Sequence, residues 1–302
     1  MFKKFLLTVA AMGSLALAGE YWGGDDVTMK FLSMPTAARS AAMSGAGVAN
    51  PRRVAEVSRN PLAMSVVDTA EIGLNQIIFD DEIADNFVSV YYGLPFLNRY
   101  TASFSVEFLG YDDLKGYDDD GNETSEFGAY AWSLAAGLGS RNKVFNWAFS
   151  GRFASQTIED ETGFLFSADI GGSFRVNKYI AFAATLTDAG YATKYMDEKN
   201  YPPMALQAGI TGILPFGENW SLSLSADAYR RSDTDPQWLF GGELSFYEIL
   251  YLRGGYAIRP DTEDGISAGL GFTFGMIVFD YGYSPRPALE AGNHHFTLGM
   301  KF

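Results

Sequence analysis

From about Thr69 to Phe302, large apolar side chains recur at every second position, and the runs are joined alternately by short and by long connections. Period two sends successive side chains to opposite faces of a sheet, so each run predicts a strand with one apolar and one small or polar face. Phe164, Phe166, Ala168, Ile170 and Phe174 alternate with Ser167, Asp169, Ser173 and Arg175, while Trp220, Leu222, Leu224 and Ala226 interleave with Ser221, Ser223, Ser225 and Asp227. The pattern predicts strands near 69–79, 86–94, 99–109, 127–139, 143–155, 163–175, 178–187, 203–213, 219–229, 237–246, 249–258, 265–274, 276–283 and 293–302. That is fourteen strands, an even number.

The connections at 95–98, 140–142, 176–177, 214–218, 247–248 and Gly275 are tight, whereas those at 80–85, 110–126, 156–162, 188–202, 230–236, 259–264 and 284–292 are longer. The seven longer ones hold 23 acidic and 7 basic residues. This predicts one strongly negative rim, the rest of the chain being neutral. The whole chain carries −14. Lys3 and Lys4, the apolar stretch Phe5 to Ala18 and its close on Ala16-Leu17-Ala18 have the layout of a secretory signal peptide. Cleavage after residue 18 removes two lysines and no acid, so the exported chain carries −16, equal to the net charge of those seven loops.

Export, an even strand count, runs of about 9 to 11 residues and an aromatic-rich apolar parity predict an all-β fold, a transmembrane antiparallel β-barrel of about 14 strands in the outer membrane of a diderm bacterium. A soluble sandwich also alternates, but it buries its apolar face; here the opposite parity, of Gly, Ser, Ala and scattered charge, reads as the inner one. Outer-membrane lipid is then the first partner, and Phe296, Leu298, Met300 and Phe302 form an apolar C-terminal signal suited to the outer-membrane assembly machinery.

Residues 19–68 break the rhythm and are read as an N-terminal plug segment, leaving 1–18 as signal peptide and 69–302 as barrel. The Ala- and Gly-rich run Thr36 to Ala49 suits a short helix, and Arg39, Arg52, Arg53, Arg59, Asn60 and Pro61 mark the segment. Within a barrel, its arginines have candidate carboxylate partners in inward-facing Glu71, Glu107, Asp169, Asp227, Glu243 and Asp280, with Arg175 on the same inward parity.

Other chemistry finds little support. There is no cysteine, so no disulfide, thiolate zinc site or thiol nucleophile. The acidic balance excludes nucleic acid. In the loop 110–126, Asp118, Asp120 and Asn122 alternate as calcium ligands do, but Glu123 and Ala129 stand where an EF-hand needs Gly and Glu. His294 and His295 point to opposite faces of one strand, and glycine stretches such as GLGFTFG lack the strand-turn-helix context of a dinucleotide site. The chain reads as a non-enzyme without cofactor or metal.

The segment FLSMPTAARSAAMSGAGVANPRRVAEVSRNPLAM resembles the N-terminal signature of the PorV/PorQ outer-membrane proteins of the FadL-like barrel group, through Phe31, Leu32, Ala38, Arg39, Met43, Gly45, Ala46, Asn60 and Pro61. Leu62 stands where the family has Ala. Later stretches, ADIGGSFRV, LRGGYAIRP, GISAGLGFTF, FDYGYSP and HHFTLGMKF, are similar to the family's strands. The resemblance implies a binding role in type IX secretion, with secretion-system components and the C-terminal domains of exported cargo as partners. The alternative is FadL-like transport of hydrophobic small molecules, against which the acidic loops and charged inner parity weigh. A small-solute porin, the third class, requires an open, ion-conducting lumen.

Overall fold

The computed structural model describes residues 27–80, 86–117, 123–194, 200–260, 264–286 and 291–302. Fourteen antiparallel strands close into a barrel in sequence order. They are β1 Glu71–Phe79, β2 Asn86–Phe96, β3 Tyr100–Tyr117, β4 Glu123–Ser140, β5 Phe145–Ile158, β6 Glu161–Arg175 and β7 Ile180–Ala192, followed by β8 Ala205–Phe216, β9 Trp220–Arg231, β10 Gln237–Phe246, β11 Leu250–Ile258, β12 Gly265–Phe274, β13 Ile277–Arg286 and β14 Ala291–Lys301. The seam is β1 on β14, from Glu71 opposite Lys301 to Phe79 opposite Asn293. Closure leaves no unpaired sheet edge, which a strand assembly in hydrocarbon requires because nothing there replaces a missing backbone partner.

Outward positions are large and exposed, as in Ile72, Leu74 and Ile78 of β1, Phe104 and Phe108 of β3, and Leu298 and Met300 of β14. Phe302, one residue past β14, continues that face. A water-facing sheet would bury such residues; a bilayer takes them as they are. Aromatic side chains gather at the tight-turn end, where Tyr100 lies 5.8 Å from Phe96 and 6.2 Å from Trp147, ring centre to ring centre, and Trp220 lies 4.2 Å from Phe246. His294, on the outward parity, shares a 2.8 Å hydrogen bond with the Tyr281 hydroxyl, while His295 on the inward parity is buried.

Several of the connections expected to be long are shorter. Between β5 and β6 only residues 159–160 lie outside the strands, a tight turn in place of the expected 156–162 connection. The 110–126 stretch is largely strand, since β3 and β4 pair on from Tyr111 opposite Ala129 to Tyr117 opposite Glu123 through two register shifts. Antiparallel pairing satisfies the backbone as well in water as in lipid, so acidic side chains do not stop a hairpin where the membrane ends. Residues 118–122, which carry the calcium-like spacing, lie outside the described residues, as does the signal peptide. Likewise the connection placed at 188–202 begins later, because β7 continues to Ala192 past an irregularity in its pairing with β6. Asp188 sits there at φ 53° and is buried, and beyond it the inward parity of β7 changes from odd to even, leaving Tyr191 facing outward.

Residues 27–68 pack against the inward faces. They comprise 3₁₀ turns at Lys30–Ser33, Val54–Glu56 and Pro61–Val66, and a short helix α1, Ala38–Ala42, within the run expected to be helical. The segment starts at the long-loop end, where the Thr28 amide donates to the Tyr201 carbonyl and Lys30 pairs with Asp233 at 3.1 Å. It ends at the tight-turn end, where the Val67 carbonyl accepts from the Thr101 hydroxyl. Glycines on the inner face of β12 and β13 admit α1: a Cβ on Gly282 would fall 2.4 Å from the Ala38 carbonyl oxygen, and one on Gly269 2.5 Å from the Ala42 Cβ. The inner surface is also more apolar than its sequence parity implied. Phe31 and Leu32 pack with Ile77, Phe87, Leu109 and Leu165, and Leu62 and Met64 with Tyr91, Ala148 and Ala183.

Candidate functional site

Among the described residues the lumen holds two buried ionic clusters, a backbone-binding carboxylate, and cavities between the N-terminal segment and the wall, of which one lies beside Arg59. The first cluster joins α1 to β10, β11 and β13. Arg39 donates from Nε to Glu243 at 2.8 Å and from Nη1 to Glu56 at 2.9 Å. Arg52 donates to the other Glu243 oxygen at 2.9 Å, and Arg253 donates to Glu243 at 2.8 Å and to Asp280 at 2.6 Å. Three guanidiniums therefore face three carboxylates, and the cluster is neutral. Glu56 also accepts from the Arg52 and Arg53 amides, closing the turn that presents both arginines. The Arg53 side chain donates to the Thr273 hydroxyl at 2.6 Å.

The second cluster belongs to the wall. Arg152 on β5 donates to Glu107 on β3 at 2.8 Å and lies 3.2 Å from Asp188 and 3.8 Å from Asp169. Its other Nη donates to the Ser58 carbonyl at 2.6 Å, tying the wall to the N-terminal segment. Ser133 and Ser150 hydroxyls donate to Glu107 and Asp169, and the Asp188 amide donates to Asp169. Asp227 instead takes three N–H donors, from the Gly47 and Val48 amides at 2.8 and 2.9 Å and from Gln207 at 2.8 Å. Asn60 caps the turn beginning at Pro61 by accepting from the Leu62 amide, and it donates to the Val48 carbonyl.

Of the residues expected to pair, Glu243 is the wall carboxylate that the segment's Arg39 and Arg52 reach. Glu107, Asp169 and Asp280 are bound by wall arginines, and Arg175 stands exposed at the tight-turn mouth. Glu71 and Asp227 face inward, buried, without an ion pair to the segment among the described residues. Sequence reasoning missed Arg152, Arg253, Glu56 and Asp188. Their signal was present, since Arg152 and Arg253 stand on the inward parity of their strands, but the partner of a wall residue depends on which strands become neighbours.

Arg59 points elsewhere. Its guanidinium lies over the Tyr229 ring, 5.5 Å from the centroid, at one side of a cavity of about 340 Å³ between the N-terminal segment and β9 to β14. Ala41, Leu239 and Pro285 give it apolar walls, and Arg59, Arg231 and Arg259 face it with positive charge. Arg231 is ion-paired to Asp233, which also holds Lys30. Partial burial pushes the Asp233 carboxyl up, but Arg231 and Lys30 outweigh this and hold it below its ordinary value. Arg259 lies past the end of β11, and burial lowers its pKa, with Asp264 opposing. Neither Arg59 nor Arg259 forms a side-chain ion pair among the described residues. Together these residues form a small, partly open, amphipathic space at the long-loop end, and no group of His, Asp or Glu among the described residues has the arrangement of a metal site.

No protein-family model and no curated protein sequence matches the chain. Solved structures do. The chain is similar to the toluene transporter TbuX of Ralstonia pickettii, with 13% identity over 88% of this chain and 98% of that one and a TM-score of 0.61. It is similar to the toluene transporter TodX of Pseudomonas putida, with 12% identity over 87% and 96% and a TM-score of 0.56. A FadL homologue of Pseudomonas aeruginosa matches at 11% identity over 87% and 97%, with a TM-score of 0.52. Likeness at these identities establishes the fold, a FadL-like 14-strand barrel.

Proposed function

We propose that this FadL-like barrel lies in an outer membrane and carries hydrophobic small molecules across it. The observation that carries the reading is the cavity beside Arg59 and Tyr229. At about 340 Å³ it lies within the size range of small-ligand sites, and its lining combines apolar Ala41, Leu239 and Pro285 with a larger number of polar and cationic side chains. It takes a molecule with an apolar body, and the arginines accommodate a polar or anionic end. The charge on the inner parity, which in the sequence weighs against such a cargo, is largely occupied in the Glu243 and Arg152 clusters. The similar barrels of known structure include two named as toluene transporters, which supports the same reading. In this reading residues 27–68 act as a plug, and a porin's open lumen does not fit their packing.

The secretion role of the PorV/PorQ type rests on the N-terminal resemblance. Arg39 and Asn60, which carry part of it, have their polar partners inside the barrel, at Glu243, Glu56, Leu62 and Val48. The motif is therefore accounted for by anchoring the segment, and transport is the better-supported reading. The test is uptake of labelled toluene and of a labelled fatty acid by cells lacking the gene, complemented with the parent or with Leu239→Trp. Filling the cavity should abolish uptake at unchanged amounts of folded barrel. Normal uptake in the deletion strain, with exported proteins retained in the periplasm, would instead establish secretion.

A further inference from the structure

The tight-turn rim is not neutral. The connections after β2, β4 and β6 carry Arg99, Arg141, Lys143 and Lys178 without an acid, whereas those after β8 and β10 carry Glu218 and Glu248 without a base. In the basic sector a groove of about 580 Å³ runs between the N-terminal segment and the turns, and its charged walls are Arg52, Lys143, Arg175 and Lys178. No carboxylate lines it. Lys143, Arg175 and Lys178 are exposed and form no ion pair among the described residues, although the chain as a whole carries −14. Cations lining one groove repel one another and raise the free energy of the empty rim, and an anion seated between them lowers it.

We infer that this groove docks an extended, acidic segment of a periplasmic protein, with apolar side chains alternating between the acids. Three observations select that occupant. Apolar Val144, Val176 and Ile213 line the groove together with the cations, so an occupant needs apolar as well as acidic side chains, which an extended segment sends to its two opposite sides. From β5 to β8 there are three inter-strand steps of about 4.8 Å, so the groove spans about four extended residues. Arg175 and Ile213 continue the inward parity of β6 and β8, so the groove opens into the barrel mouth and not onto lipid. Placing that mouth in the periplasm rests on the barrel orientation used in the proposed function, with short turns inside and long loops outside.

The experiment uses the full chain in phosphatidylcholine nanodiscs and a fluorescein-labelled six-residue peptide alternating glutamate and valine. Fluorescence anisotropy should report binding that weakens as salt is raised. The variant Lys143→Gln/Arg175→Gln/Lys178→Gln alters only exposed positions and should weaken binding about tenfold or more. Lys143→Glu/Arg175→Glu/Lys178→Glu should prefer a lysine–valine peptide instead. Affinity unchanged in the glutamine variant, or a parent that binds the lysine–valine peptide as well as the glutamate one, overturns the inference. So does a glutamine variant that loses enrichment of phosphatidylglycerol from doped discs while keeping the peptide, since the surface would then be a lipid site. Uptake of toluene is measured on the same variants, and its loss or retention reports on transport separately.

Discussion

Replacing Glu243 by alanine tests how the N-terminal segment is held. Glu243 is 1% exposed, and its carboxylate accepts from Arg39, Arg52 and Arg253 at 2.8 to 2.9 Å. Removing one member of a buried ion pair costs about 3–5 kcal/mol, because the surviving charge is left desolvated. Three features place this site at the low end. Arg253 keeps Asp280, Arg39 keeps Glu56, and the Arg52 side chain, 27% exposed, turns to water. About 3 kcal/mol remains, which at about 1.4 kcal/mol per factor of ten raises the population with the segment displaced more than a hundredfold. Single channels in planar bilayers are the assay. The parent should conduct little, and Glu243→Ala should show frequent large openings, with a matching fall in the denaturant midpoint. Glu243→Ala/Arg39→Ala should open less often than the two single variants predict together, because the orphaned guanidinium is gone. Parent-like conductance and a midpoint shift worth under about 1 kcal/mol would refute the reasoning, showing that apolar packing alone holds the segment.

Two further outcomes follow from the same packing. Gly282→Val should lower the unfolding temperature and cost about 1–3 kcal/mol, since even its Cβ would meet the Ala38 carbonyl oxygen at 2.4 Å; a parent-like melt would show that α1 moves aside freely. Asp233 has its pKa depressed by Arg231 and Lys30, so its contribution is present above the ordinary carboxylate value near 3.8 and is lost as pH falls below it through the folded-state pKa. Hydrogen exchange of residues 27–33 should therefore quicken below about pH 3.8 in the parent and change less over that range in Asp233→Asn.

Much of the barrel was legible because strand identity is local. The β10 and β12 limits, Gln237–Phe246 and Gly265–Phe274, coincide with the apolar alternation. Parity alone places Asp169 and Asp227 inward and Leu298 and Met300 outward. The β3–β4 hairpin overran its expected ends because pairing depends on the backbone, whereas the alternation reports only where lipid begins. At β7 the irregularity at Asp188 shifted parity in mid-strand, and nothing in TLTDAGYA forces it without β6 alongside. For the candidate site, Arg39 and Glu243 were both visible as residues needing partners. That Arg152 takes Glu107, Asp169 and Asp188, and that Arg59 is left to face a cavity, was not visible.

By itself, the order of residues determined the strand count, most of the strand faces, the acidic rim and the fact that residues 27–68 differ from the rest. Each of these depends on neighbours one to ten positions apart, within reach of a single strand or turn. Only the closed barrel decided which carboxylate meets which guanidinium and where a cavity remains. Arg39 and Glu243 are 204 residues apart, and closure with its inter-strand stagger sets which inward side chains share a level of the lumen.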